Sequence, residues 1–79
     1  MRIVRELVKE GVRISVFSWN NKYLLKFEDG MIEQTFKVSE LDLTSEKDID
    51  FFLEGEFWEM IKKRSDEMHQ TLRYQLGNM

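Results

Sequence analysis

The sequence predicts a single α+β domain over residues 1–79, with the element order α-β-β-β-α-α. Two observations carry this prediction: strand-favouring residues alternate with polar ones through the first half of the chain, and apolar residues recur at helical spacing on both sides of that stretch. The 79 residues are 42% hydrophobic and 34% charged, a balance that supports one packed core. We therefore expect a short N-terminal helix, a three-stranded antiparallel β-meander, and two C-terminal helices packed on one sheet face.

The N-terminal helix and the three strands each have a local signal. Four apolar residues at helical spacing, followed by Gly11 as a terminator, predict a helix over residues 2–10. These residues are Ile3, Val4, Leu7 and Val8. Strands are predicted over 12–19, 22–28 and 31–38, because Asn20-Asn21 and Asp29-Gly30 between them are pairs that tolerate tight hairpin turns.

The C-terminal third has the pattern of helices. Thr44 and Ser45 are followed by acidic residues, with Asp48 placed as in a capping box, which predicts a helix start. Gly55 either ends this helix or bends it. A longer helix follows over residues 56–76; at about 1.5 Å per residue it spans roughly 31 Å, so its last turn is expected to project past the sheet.

Two-residue loops fix the strand register and assign every side chain to a face. The predicted pairs are Trp19–Lys22, Val16–Leu25, Ile14–Phe27, Phe27–Ile32 and Tyr23–Phe36. Both hairpins place the apolar residues on one face, which the helices must cover. That face carries Ile14, Val16, Tyr23, Leu25, Phe27, Ile32, Phe36 and Val38, with Ser18 and Gln34 as polar exceptions.

The opposite face is mostly polar, yet it gathers two aromatic residues and a leucine beside two lysines. These predicted partner-binding residues are Phe17, Trp19, Lys22, Leu24 and Lys37. Two interpretations stay open. Either the cluster is packed, under a symmetric partner, the projecting helix end or a neighbouring strand, or it is a docking surface for another molecule. A protein ligand is favoured over nucleic acid, because the glycine- and aromatic-rich signature of an RNA recognition motif is missing.

The last helix offers a second candidate interface. Its apolar stripe has near-heptad spacing, and the second half of that stripe is sparse enough to await a partner. Met68, Leu72 and Leu76 are the predicted dimer-helix residues.

Composition and charge exclude several classes of protein. The chain has no cysteine, so disulfide scaffolds, thiol nucleophiles and cysteine-based metal centres are excluded. Charged residues interrupt the first eleven positions, unlike a signal peptide, and no stretch approaches the roughly 18 apolar residues of a membrane span. A cytoplasmic protein of bacterial type, with no membrane contact, is the expectation. The net charge of −3 opposes binding to phosphate.

No constellation of residues indicates catalysis, a cofactor or a metal. His69 is the single histidine, which leaves metal ligation and a hydrolytic triad without companions. Residues 39–56 are strongly acidic, but a calcium loop counted from Asp42 places Lys47 where glycine is needed and Leu53 where glutamate is needed. Acidic residues at a helix start explain this segment, and an acidic docking surface for a basic partner is the alternative.

The predicted order of helix, three-stranded meander and helix resembles that of double-stranded-RNA-binding domains. The resemblance covers element order alone. Such domains hold phosphate with a basic cluster at the start of the second helix, where this chain has acidic residues from Thr44 to Asp48. The loop from Trp19 to Lys22 is also too short to reach into a groove.

The sequence thus predicts a small non-enzymatic protein, a homodimer, that acts as a protein–protein interaction module or homodimeric adaptor. The alternative is a module that binds single-stranded nucleic acid on the open sheet face.

Overall fold

A computed structural model describes all residues from 1 to 79. The chain forms four antiparallel strands in the order β1-β2-β3-β4, and helices then cover one face of the sheet. The strands are β1 (Arg2–Lys9), β2 (Val12–Trp19), β3 (Lys22–Asp29) and β4 (Ile32–Ser39). An α+β architecture with an antiparallel sheet is confirmed.

The predicted N-terminal helix is wrong, and with it the element order α-β-β-β-α-α and the count of three strands. Residues 2–9 form a fourth strand, β1, paired with β2. Glu10 and Gly11 have φ of 49° and 83°, so they form a two-residue hairpin turn with both central residues left-handed, rather than a helix terminus. The similarity of element order to double-stranded-RNA-binding domains disappears with the helix.

The β2–β3 register is confirmed and the β3–β4 register is wrong by two residues. Val16 pairs with Leu25 as predicted, but Phe27 pairs with Gln34 instead of Ile32. Tyr23 correspondingly lies opposite Val38 instead of Phe36.

The turn explains the difference. Its two loop residues are Gly30 and Met31 rather than Asp29 and Gly30, and of these only Gly30 has a positive φ, 64°. This is the pattern of a type II′ turn, which takes glycine at its first central position. A shift of two residues keeps every side chain on its predicted face.

The core lies between the sheet and the helices. Ten buried apolar residues form one cluster: Val12, Ile14, Val16, Tyr23, Leu25, Phe27, Ile49, Leu53, Trp58 and Ile61. Phe27 is at its centre, with ring centroids 6.2 Å from Phe36 and Phe57 and 6.5 Å from Trp58. Five of the eight apolar residues predicted for the covered face belong to this cluster, whereas Ile32, Phe36 and Val38 are half-buried. Its polar exception Gln34 is 6% exposed.

After β4 the chain forms two short 3-10 helices, Glu40–Asp42 and Glu46–Ile49, and a single turn of α-helix, α1 (Asp50–Leu53). Glu54 is extended and Gly55 has a φ of 67°, so the helix ends there instead of bending. The left-handed backbone explains the glycine. The long helix α2 follows as Gly55–Gly77, and two C-terminal helices are thus present as predicted.

Helix α2 crosses the covered face and runs past it. Trp58, near its start, donates a hydrogen bond to Glu10 in the β1–β2 turn, and His69 lies beside Gly30 in the β3–β4 turn. From Arg73 to Met79 every residue is exposed. The projecting helix end contributes to the elongated shape of the molecule, 46 × 25 × 20 Å.

Candidate protein-binding surfaces

The solvent side of the sheet carries a contiguous apolar patch. Ile3, Phe17 and Leu24 lie side by side in one cross-strand row through β1, β2 and β3, and the row ends at Lys37 on β4. Phe17 and Leu24 are half-buried and Ile3 is 57% exposed. Trp19, two residues along β2 from Phe17 and 48% exposed, extends the patch. We call Ile3, Phe17, Trp19 and Leu24 the open-face patch.

Local backbone geometry places these side chains together. The β1–β2 register shifts between Ile3 and Arg5, so Val4 is an extra residue in a β-bulge. The bulge puts Ile3 opposite Phe17, while Val4 packs against the core. At the same end of β2, Asn20 and Asn21 both have positive φ, and this tight turn sets Trp19 opposite Lys22.

The ion pairs of the open face leave two lysines free beside the patch. Arg13 pairs with Glu6 at 3.2 Å, and Lys26 pairs with Glu33 at 3.4 Å. The Lys26 ammonium also lies 6.0 Å from the centre of the Phe17 ring. Lys22 and Lys37 form no ion pair. The apolar patch is therefore bordered by positive charge, although the whole chain has a net charge of −3.

A second candidate surface, partly apolar and partly charged, lies where α2 leaves the sheet. The residues from Met68 to Met79, which we call the α2 tail, begin beside an open groove of about 660 Å³ at the start of β4. Met31, Ile32 and Glu33 form one wall, and the other is lined by Arg64, Glu67, Met68, Thr71, Leu72 and Gln75. Met31 is 79% exposed. Of the predicted dimer-helix residues, Met68 and Leu72 line this groove, and Leu76 is 52% exposed on the helix beyond it.

The acidic segment is tied to β1 by ion pairs. Arg2 pairs with Glu46 at 2.6 Å, and Arg5 pairs with Asp50. The hydrogen bond that Arg2 donates to Glu46 raises the pKa of its guanidinium further above neutrality, and the carboxylate charge adds to the effect. The two arginines therefore neutralise part of the charge of this segment within the fold. The sequence does not reveal these ion pairs, because it predicts that both arginines lie in a helix.

The local cap of the acidic segment differs slightly from the predicted capping box. The Asp48 carboxylate accepts hydrogen bonds from the Thr44 hydroxyl at 2.7 Å and from the Thr44 backbone N–H at 2.8 Å. These bonds, the hydroxyl first, lower the pKa of Asp48. The Ser45 hydroxyl accepts from the N–H of Lys47. The Asp48 carboxylate therefore binds Thr44, one residue before the Ser45 that the predicted capping box pairs with it.

No group of three or more potential metal-ligating side chains lies close together in the structure. His69 is half-buried against the β3–β4 turn. None of the helices combines the length and the apolar character needed to cross a membrane.

Searches of protein-family models, of curated proteins and of solved structures find no match to this chain. The function is therefore inferred from the two surfaces themselves. All five predicted partner-binding residues lie on one face. The structure adds a residue that the sequence pattern does not reveal to each surface: Ile3 to the open-face patch and Met31 to the groove beside α2. Ile3 lies in a strand instead of the predicted helix, and Met31 lies in a turn facing α2 instead of the predicted strand.

Proposed function

We propose that this protein is a non-enzymatic protein–protein interaction module that works as a homodimer and binds a partner protein through the open-face patch. The contiguity of Ile3, Phe17 and Leu24 in one cross-strand row, with Trp19 beside them, carries the proposal. Single exposed apolar side chains are common on proteins, whereas contiguous patches with a polar rim mark interaction sites. Tryptophan is also among the residues that most often dominate the binding energy of an interface.

The chemistry of the patch selects the kind of partner. Lys22 and Lys37 border the apolar residues without any internal ion pair, so a bound segment that brings apolar side chains flanked by carboxylates satisfies both parts of the surface. Such a contact draws its affinity mainly from apolar burial, and the lysines contribute orientation and rate of association.

Selection of peptides from a random library tests the proposal directly. We would select random peptides displayed on phage against the immobilised protein, and then measure synthetic copies of the enriched peptides by fluorescence anisotropy. We expect peptides that combine aromatic or aliphatic residues with Asp or Glu. The variant Trp19→Ser should lose most of the affinity, and Phe17→Ser combined with Trp19→Ser should abolish binding.

The matched control is Val8→Ser. Val8 is 71% exposed on the same face but lies outside the patch, so its removal should leave the affinity unchanged. The proposal fails if no peptide is enriched, or if the enriched peptides bind Trp19→Ser as tightly as the natural protein.

Binding of single-stranded nucleic acid to the same face is the alternative that the experiments must distinguish from peptide binding. A dT oligonucleotide that bound the same face through Lys22 and Lys37 would lose affinity steeply with added salt, whereas an apolar peptide contact would change little. Tight, salt-sensitive binding of the oligonucleotide, lost in Trp19→Ser, would replace the protein-binding proposal. We also propose that the protein is cytoplasmic, as the sequence predicts. Cell fractionation would test this location.

A further inference from the structure

The apolar stripe that anchors α2 to the sheet continues beyond the sheet. Trp58, Ile61 and Ser65 are buried, with exposures of 2%, 0% and 2%. At 3.6 residues per turn, the side chains that continue this line fall within the same narrow sector of the helix. They are Met68, Leu72 and Leu76, and the helix ends at Gly77. Met68 and Leu72 are half-buried and Leu76 is 52% exposed, so the stripe outlasts the surface that covers it.

The charge of α2 changes at the same point. Seven residues between Gly55 and Glu67 are charged: Glu56, Glu59, Lys62, Lys63, Arg64, Asp66 and Glu67. In the α2 tail Arg73 is the single residue among Lys, Arg, Asp and Glu. Depletion of Lys, Asp and Glu with retention of Met, Tyr and Arg is the composition of an interface core, whereas a helix end in water is ordinarily rich in charge.

We propose that the α2 tail packs antiparallel against the α2 tail of a second copy of this chain, with the tip of each tail seated in the groove beside Met31 and Ile32 of the other. The inference specifies the contact of the homodimer in the proposed function and rests on that part of it. A two-fold contact presents the same residues from both sides. Each tail carries a single charged residue, Arg73, so self-pairing desolvates few charges, whereas the first half of α2 would bring seven charged residues from each copy into the contact.

The direction of the pairing follows from the sheet. The stripe on the tail faces the same side of the helix as Trp58 and Ile61, which contact the core. In a parallel pair, the first half of the partner's helix would have to pass through that sheet. In an antiparallel pair, the partner's tip points toward the sheet and its body lies beyond the end of this tail.

The facing helices alone bury too little area for a stable dimer, so the proposed contact includes the groove. The ten helical residues of the tail, 68–77, span about 15 Å and are roughly 10 Å wide, so each helix presents a facing strip of only about 150 Å². Stable interfaces bury about 1,200 Å² or more in total. The added walls of the groove, above all the 79% exposed Met31, enlarge the contact, and a weak, concentration-dependent dimer is the expected result.

Light scattering and sedimentation over a wide range of protein concentration test the inference. We expect the mass to rise from 9.6 kDa toward twice that value, about 19 kDa. Leu76→Glu puts a charge into the exposed part of the stripe and should hold the protein at 9.6 kDa. The matched control Gln70→Glu adds the same charge on the opposite, exposed side of the helix and should dimerise as the natural protein does. Circular dichroism verifies that each variant is folded.

Each outcome separates the two proposals. A natural protein that stays at 9.6 kDa at the highest concentration overturns the homodimer and this inference together, while the peptide experiment remains an independent test of the open-face patch. A Leu76→Glu variant that still dimerises overturns this inference alone. Dimerisation that is lost in Trp19→Ser but kept in Leu76→Glu would assign the homodimer to the open-face patch.

Disulfide trapping tests the orientation. The chain has no cysteine, so single cysteines can be introduced without interference. When Leu72→Cys and Leu76→Cys chains are mixed and oxidised, an antiparallel pair favours the mixed disulfide, because these positions lie across from each other on either side of the two-fold axis. Predominance of the two homogeneous disulfides would contradict the antiparallel arrangement.

Discussion

The buried amide of Gln34 provides the sharpest test of how α2 is held on the sheet. Its Nε2 donates to the backbone carbonyl of Ile61 at 3.0 Å and to the Ser65 hydroxyl at 3.1 Å. Its Oε1 accepts from Arg64 at 3.4 Å. Gln34 and Ser65 are 6% and 2% exposed, so neither can exchange its partner for water. We expect these two side chains to contribute to stability as a pair rather than independently.

The magnitude follows from the bonds that each substitution removes. Gln34→Leu deletes two buried hydrogen bonds of about 0.5–1.5 kcal/mol each, and should cost about 1–3 kcal/mol. Ser65→Ala in the natural protein loses one such bond but gains about 0.5 kcal/mol of helix propensity, so it should cost about 0.5 kcal/mol. With Leu at position 34 there is no bond left to lose, and Ser65→Ala should instead stabilise by about 0.5 kcal/mol.

Urea and thermal denaturation, followed by circular dichroism, measure this reversal of sign. A change of 1 kcal/mol shifts the Tm of a domain of this size by about 4–8 °C, so the expected coupling of about 1 kcal/mol is within reach. All four proteins are compared at one concentration, because dimerisation would stabilise each of them by mass action. An identical effect of Ser65→Ala in both backgrounds would refute the reasoning.

Two further predictions follow from local geometry. Trp58 donates to Glu10 at 2.8 Å and, with Lys62, lowers the pKa of that carboxyl. The resulting stability is complete above the unfolded-state pKa of about 4.3 and is lost as the pH falls through the lower folded value, so Glu10→Gln should show a smaller fall in Tm between pH 6 and pH 3 than the natural protein. Gly30→Ala should cost about 1–2 kcal/mol in urea denaturation because its φ is 64°, although the added methyl would meet His69 at an ordinary 3.5 Å. Gly77→Ala, in a helix with open space around it, is the control that should not destabilise.

The N-terminal strand has the sequence pattern of a helix for a physical reason. In a half-buried strand apolar residues alternate with polar ones, but β1 carries apolar residues on both faces: Ile3 and Val8 lie on the open face, whereas Val4 and Leu7 lie on the core side. The resulting spacing of Ile3, Val4, Leu7 and Val8 matches a helical stripe. As an edge strand, β1 also carries cations whose partners, such as Glu46 for Arg2, lie 44 positions away in the sequence. No local pattern reveals such a partner.

Neither the wrong N-terminal helix nor the wrong β3–β4 register removes the five predicted residues from the open face. The face on which a side chain lies changes only when the register shifts by an odd number of residues. Phe17, Trp19 and Leu24 are placed by the Asn20-Asn21 turn, whose two positive φ values admit only one pairing of β2 with β3. The corrected β3–β4 register pairs Lys37 with Leu24 instead of Lys22, and Lys37 stays on the open face. Ile3 and the Met31 groove depend on a bulge and on a turn type, respectively, and so could not be predicted from alternation alone.

The two proposed contacts use opposite layers of the molecule, which has a consequence for binding. The α2 tail leaves from the helical layer, and the open-face patch lies on the uncovered side of the sheet. A tail-to-tail dimer therefore leaves both patches free, and one dimer can engage two sites on a single partner. When two binding events are linked, the second occurs at a high effective concentration and the overall affinity rises. Leu76→Glu should then weaken binding to a tandem copy of a selected peptide while leaving the affinity for the single peptide unchanged, and an equal loss for both would show that the tail and the patch are not separate surfaces.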